Sequence, residues 1–184
     1  MPSLRSICVF CGSRAGADPA FAQDAALVGS MLADRGWRLV YGAGDAGLMG
    51  EVASHAMSGG GAALGVIPQH LIARERGRRD ARNFVITEDM HERKKVMFMN
   101  SDAIVVLPGG AGTLDEFFEV LTWAQIGLHT RPIFLLDTRG YWQPLIALIE
   151  AVIAQGFADA TLRDFFVACP DVPTLEALLV QTLD

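Results

Sequence analysis

No stretch of this sequence approaches the roughly 18 uninterrupted apolar residues of a membrane-spanning helix, so no such helix is expected. The run from Met1 to Ser13 has one Arg and a short apolar segment. It lacks the long apolar region and small-residue cleavage site of a secretory signal, which makes the cytoplasm the expected location. An excess of positive charge is also missing. The formal charge is −6, which argues against a nucleic-acid binder working through a broad basic face. A small anionic ligand needs only a local positive site and stays open. Lysine is nearly absent, represented by Lys94 and Lys95 alone.

Cysteine is scarce and odd in number, three in all. Cys8 and Cys11 form a C-x-x-C, but no second C-x-x-C and no paired His complete a metal site. His55, His70, His91 and His129 show no ligand spacing, so no metal is expected. The two Cys read as small strand and loop residues in a reducing compartment. A Walker A loop and a G-x-S-x-G elbow are both missing. There is no internal repeat, linker or low-complexity tract.

What is present is a large apolar fraction, 51% of 184 residues, enough for one well-filled domain spanning 1–184. Short apolar runs end at Gly or Pro: Ser6 to Phe10, Arg38 to Tyr41, Ala63 to Ile67, Ala103 to Leu107, Ile133 to Leu136 and the weaker Val167 to Cys169. They are partly β-branched and do not alternate, as strands buried on both faces of a parallel sheet do not. Helical patterns lie between them, at Ala20 to Asp34, Leu48 to Met57, Asp89 to Asn100, Leu114 to Ile126, Trp142 to Ala154 and Thr174 to Leu183. The alternation predicts an α/β, Rossmann-like doubly wound parallel sheet with helices on both faces.

Ligands of such sheets bind at the carboxyl ends of the strands. Three Gly-rich turns fall there: Cys11-Gly12-Ser13, Gly42-Ala43-Gly44-Asp45-Ala46-Gly47 and Pro108-Gly109-Gly110-Ala111-Gly112-Thr113. Glycine lets backbone approach a ligand, and successive N–H groups cradle anions. The third turn runs into a helix, whose N-terminus favours phosphate. Gly42-x-Gly44-x-x-Gly47 matches a dinucleotide fingerprint. The ribose-binding acid expected about 20 residues later is missing, because that region reads Gly65-Val66-Ile67-Pro68-Gln69-His70. Nicotinamide cofactor binding is therefore disfavoured.

Two charged residues have competing readings. Thr113-Leu114-Asp115-Glu116 fits a capping box. Equally, a carboxylate one turn into the helix lies close to whatever the turn cradles. Asp89-Met90-His91-Glu92 is a second cap candidate. Arg93 shares a helical face with Met90 and Met97. If that face is buried, Arg93 needs an anion, either a neighbouring acid or a ligand. The segment Arg74 to Arg82 holds five Arg in nine residues and reads as a solvated loop. It also stands ready to steer a phosphate.

Together, Cys11-Gly12-Ser13, Tyr41-Gly42-Ala43-Gly44, Gly47-Leu48-Met49-Gly50, Met90-His91-Glu92-Arg93-Lys94 and Pro108-Gly109-Gly110-Ala111-Gly112-Thr113-Leu114-Asp115-Glu116 resemble the LONELY GUY family. Its members are cytokinin riboside 5′-monophosphate phosphoribohydrolases, long mislabelled lysine decarboxylases. The match runs in order from about residue 5 to about residue 157, through Leu121-Thr122-Trp123-Ala124-Gln125 and Gly140-Tyr141-Trp142.

The resemblance implies a homodimer acting on a nucleoside 5′-monophosphate, with no cofactor, no nucleic acid and no membrane. Arg93 and Glu116 correspond to the essential catalytic pair. Substrate contacts fall on Lys94, Gly109, Gly110, Ala111, Gly112, Thr113, Leu114, Asp115 and Thr122. Gly12, Ser13, Gly44 and Met49 extend the set through the first two turns, and Glu75 sits at the matching offset before Arg93. One departure is Ala43, where the family usually has a third Gly; another is Ala111, where many plant members carry Tyr. The decarboxylase label fails on chemistry, since Lys94 and Lys95 sit in a helical basic cluster with no pyridoxal phosphate context. The remaining alternative is a non-catalytic nucleotide or molybdenum-cofactor carrier of similar architecture.

Overall fold

Short aliphatic runs build the centre of the molecule as seven parallel strands. The computed structural model describes residues 4–72 and 84–183. The strands are β1 (Ser6–Phe10), β2 (Arg38–Tyr41), β3 (Ala63–Pro68), β4 (Phe84–Thr87), β5 (Ala103–Val106), β6 (Ile133–Leu136) and β7 (Val167–Cys169). Their order is β4-β3-β2-β1-β5-β6-β7, and every pair is parallel. The central strands β1, β5 and β6 are buried throughout, which explains their lack of alternation.

Six of the seven strands match the apolar runs. The seventh, β4, was not expected. It is an edge strand whose Ile86 is 62% exposed, so its four residues carry little of the buried-strand pattern.

The helices are α1 (Pro19–Asp34), α2 (Gly47–Ser58), α3 (Met90–Met99), α4 (Ala111–Gln125), α5 (Gln143–Ala154) and α6 (Val172–Leu183). Residues of α1, α2 and α6 pack one core layer with Ile7 and Val9 of β1. Residues of α3, α4 and α5 pack the other with Cys8 and Phe10. Successive strand side chains thus feed opposite layers, and the expected doubly wound architecture is present.

The helix ends follow local chemistry. Asp18 caps α1 by accepting from the Ala20 N–H at 2.8 Å, with Pro19 at the first helical position. Asp89 caps α3 by accepting from the Glu92 N–H at 2.8 Å, and the Glu92 carboxylate accepts from the Glu88 N–H at 2.6 Å. That cap was expected. The capping box at Thr113–Glu116 does not form. Helix α4 starts at Ala111, Gly110 is its cap residue, and no side chain caps it. A capping Thr needs extended backbone. Here Thr113 is already helical, and the Leu114 N–H reaches the Gly110 carbonyl at 3.0 Å.

From β1 the chain winds outward through β2 and β3 to β4, then crosses back to β5 on the other side of β1 and winds outward again. The boundary between β1 and β5 is the switch point where a doubly wound sheet opens a crevice for ligands. The turns after β1 and β5 lie side by side there, stitched by the Gly12 N–H donating to the Pro108 carbonyl at 3.0 Å.

Candidate active site

A cavity of about 470 Å³ occupies that crevice. Its walls bring together Gly12 and Ser13 after β1, Met49 of α2, Arg93 of α3, and Gly109, Gly110, Ala111, Gly112, Thr113 and Glu116 at the start of α4. All ten are among the residues singled out from sequence. Leu114 instead packs against the core layer of α3, α4 and α5. Thr122 donates its hydroxyl to the Phe118 carbonyl one turn back, at 2.6 Å. Gly44 lines a separate pocket of about 240 Å³ with Asp45 and Glu51. Glu75 and the Arg74 to Arg82 segment lie outside the described residues.

Arg93 is 5% exposed. Its Nε donates to the Val66 carbonyl at 3.1 Å and its Nη2 to the Gly42 carbonyl at 2.9 Å. Nη1 faces the Met90 sulfur at 3.7 Å. Neither reading from sequence gives backbone carbonyls, one inside β3 and one just after β2, as its anchors. Two anchored N–H groups fix the guanidinium plane, and Arg has five such donors in a rigid fork.

Gly42 makes room for this. A Cβ there would overlap the Arg93 guanidinium. The next residue, Ala43, adopts a left-handed φ of 63° while buried. The loop therefore keeps a conformation that glycine takes without strain, despite the substitution.

Glu116 is 9% exposed and faces the cavity. Its carboxylate accepts no hydrogen bond among the described residues. Burial pushes its pKa up from 4.5 to about 7, against the opposing pull of the nearby Arg93 charge. It is a carboxylate poised near neutrality at the wall of a cleft, the condition expected of a group that exchanges protons or meets a cation.

Lys94 points elsewhere. It is 5% exposed and sits 2.9 Å from Asp115 and 3.2 Å from Glu119. Burial pulls its pKa down, but the hydrogen bonds to the two carboxylates outweigh that and leave it raised. Lys95 is exposed. Neither lysine lines the cavity, which leaves no amine there for a Schiff base among the described residues. Cys11 borders the cavity, yet burial pushes both its thiol and that of Cys8 far up, so neither is a reactive thiolate.

Several lining residues were missed from sequence, notably Arg14, Phe21, Met90 and Tyr141. Tyr141 follows β6, and its hydroxyl donates to the Gly109 carbonyl at 2.6 Å. Tyr141 lies at the carboxyl end of β6, where no Gly-rich turn marks the site. The carboxyl-end rule alone, applied to the turn after β6, flags it.

Fold and site together define a doubly wound α/β protein with a glycine-lined turn and a buried carboxylate at its switch point. Residues 49–179 match the family described as possible lysine decarboxylase. The chain is 45% identical over 164 residues to an Oryza sativa subsp. japonica protein named Probable cytokinin riboside 5′-monophosphate phosphoribohydrolase LOGL1. That match covers 89% of this chain and 74% of the relative. It is 41% identical over 172 residues to Arabidopsis thaliana cytokinin riboside 5′-monophosphate phosphoribohydrolase LOG1, covering 94% and 81%. The chain belongs to the LONELY GUY family. In fold it also resembles the molybdenum cofactor binding protein from Rippkaea orientalis, with a TM-score of 0.75, 20% identity and full coverage of both chains. The molybdenum cofactor carrier protein of Chlamydomonas reinhardtii is similar at a TM-score of 0.73 and 22% identity, over 98% of each chain.

Proposed function

We propose that this chain hydrolyses the N-glycosidic bond of a nucleoside 5′-monophosphate, a cytokinin riboside 5′-monophosphate or AMP, to free base and ribose 5-phosphate. The observation that carries the reading is Glu116: a buried carboxylate, open to the cavity, without a hydrogen-bond partner among the described residues, and one turn beyond a glycine-lined helix start.

The 5′-phosphate sits on the N–H groups of Gly109 to Thr113, favoured by the positive end of α4. Glu116 then faces the ribose. Cleavage builds positive charge at the anomeric carbon as the bond to the base nitrogen breaks. The Glu116 carboxylate stabilises that charge and takes a proton from the attacking water. The new bond joins the water oxygen to the anomeric carbon as the bond to the base nitrogen breaks, and the base leaves with the proton that Glu116 took from the water, which restores the carboxylate. Arg93, anchored by two carbonyls, orients the ligand and favours the charged form of Glu116 against its burial. Gly12 and Ser13, beside the phosphate turn, and Met49 complete the wall.

A carrier of a phosphorylated cofactor needs the anion turn but gains nothing from a carboxylate beside it, which favours the enzyme over the carrier. The two neighbouring carrier structures share the fold at 20–22% identity.

Residues 1–184 form a single phosphoribohydrolase domain in this reading, working as a homodimer in the cytoplasm. Exposed Met99, Ile126 and Leu128 at the ends of α3 and α4 support a self-association face. Among the described residues, no helix is long and apolar enough to cross a membrane.

Incubation with AMP, isopentenyl-AMP, GMP, CMP and adenosine, followed by chromatography, tests the proposal. Free base is expected from one or more monophosphates, with far slower release from adenosine, because binding of the remote phosphate holds the sugar in place. Equal rates on AMP and adenosine, or no base from any substrate, would contradict it.

A further inference from the structure

We infer that Tyr141 is a positioning residue that locks the phosphate-binding turn in its receptive orientation; the inference rests on the function proposed above. All three carbonyls of Pro108-Gly109-Gly110 are tied down. The Pro108 carbonyl accepts from the Gly12 N–H at 3.0 Å, and the Gly110 carbonyl from the Leu114 N–H at 3.0 Å. The Gly109 carbonyl is held by a side chain instead, the Tyr141 hydroxyl at 2.6 Å.

In a planar trans peptide the carbonyl and the following N–H point in opposite directions. Tying the Gly109 carbonyl therefore fixes where the Gly110 N–H points. This peptide is flanked by two glycines, the residues least able to resist rotation about the bonds on either side. Without the tyrosine hydroxyl it is free to flip. A flipped peptide presents a carbonyl oxygen where the anion expects a donor, and repels it.

The phenol is itself held in place. Its ring packs edge-on against Phe21 of α1, with centroids 5.5 Å apart, and against Trp142 at 4.8 Å. The turn that delivers it has left-handed backbone at two successive residues, Arg139 at φ 58° and Gly140 at φ 73°. Strain at Arg139 is maintained by its surroundings. The Thr138 hydroxyl donates to Asp24 at 2.6 Å, and the Trp142 N–H donates to Asp137 at 2.6 Å. Tyr141 is 38% exposed and lines the cavity, so its hydroxyl is not there to fill a core.

The test is Tyr141→Phe, which keeps both ring contacts and removes only the hydroxyl. KM for AMP and Kd for inorganic phosphate should each rise about tenfold, the scale of one lost hydrogen bond. The rate constant kcat should stay within about threefold, and the slow turnover of adenosine should not change. Phe21→Leu, which loosens the ring but keeps the hydroxyl, should shift the same constants in the same direction by less. Unchanged phosphate affinity in Tyr141→Phe would overturn the inference. So would a fall in kcat at constant KM, which would make the hydroxyl part of the chemistry. Wild-type protein that binds phosphate but releases no base would sink the hydrolase reading, while the phosphate Kd of the variant still decides this one. Wild-type protein that binds neither phosphate nor AMP overturns both.

Discussion

The turn at Gly42–Gly44 and the turn at Gly109–Gly112 look alike in sequence, and the fold uses them in opposite ways. A Cβ on Gly42 would overlap the protein's own Arg93 guanidinium. A Cβ on Gly110 or Gly112 would meet nothing within 4 Å. The first turn is closed around an internal cation at Gly42; the second is closed at Gly109, where a Cβ would overlap Thr113 and Gly12, and open beyond it at Gly110 and Gly112. Glycine at position 42 is needed for folding, while at positions 110 and 112 it leaves space for a ligand. A Gly-rich motif at a strand end therefore marks close approach without saying whether the visitor is the protein or its substrate.

The sharpest way to break this comparison is Gly42→Ala. The added methyl displaces Arg93 from both its carbonyls, and we expect a stability loss of about 3 kcal/mol, at the upper end of overpacking costs. Activity should fall with it. Denaturant unfolding gives the number, and a loss below about 1 kcal/mol would mean the guanidinium moves aside freely.

Glu116→Gln probes the open side. It should lower turnover at least about 100-fold, the scale of removing one electrostatic stabiliser, without loss of fold. Wild-type rates would reduce Glu116 to a buried spectator. The pH dependence has a definite sign. Burial raises the Glu116 pKa in the folded state to about 7 from 4.5. Its contribution to stability is thus fully present below 4.5 and is lost as pH rises through about 7. At 1.36 kcal/mol per pKa unit the loss approaches ~3 kcal/mol. Relative to Glu116→Gln, the wild type should therefore weaken between about pH 5 and 8. Its kcat/KM for AMP should rise with pH through a midpoint near 7 as the carboxylate ionises.

Gly110→Ala should be mild for folding, within about 0.5 kcal/mol as for an unconstrained surface site, yet raise KM for AMP about tenfold by crowding the turn. Loss of fold with intact KM would reverse the assignment of the two turns. The smallest effect is expected for Ala43→Gly. Relief of the left-handed strain, about 1 kcal/mol, is offset by a lost buried methyl and a more flexible unfolded chain. Thermal unfolding should show a net change below about 1 kcal/mol.

Much of this was legible from residue types. Strands buried on both faces announce themselves as unbroken apolar runs, and so six strands and the switch-point crevice followed. Arg93 is buried beside Met97, the condition under which the sequence requires it to find an acceptor. Its anchors were not legible, because Gly42 and Val66 lie 51 and 27 residues away and are backbone acceptors that any residue supplies. The T-x-x-E pattern misled, since Thr113 and Glu116 keep cap spacing inside a helix that begins earlier. Lys94 and Arg93 are adjacent in sequence yet diverge, one towards Asp115 and Glu119, the other into the cavity wall. Helical geometry makes neighbours face different directions, and only the packing of α4 against α3 says which partner each meets. The position of Tyr141 after β6 is legible from the carboxyl-end rule, but its hydroxyl contact with the Gly109 carbonyl, 32 residues away, is not.

The most direct test is a crystal structure of the slow Glu116→Gln variant soaked with AMP. The phosphate should rest on the N–H groups of residues 110–113, with the substituted amide at position 116 against the ribose near its anomeric carbon. A nucleotide lodged in the Gly42 turn, or a phosphate bound away from the start of α4, would contradict the account.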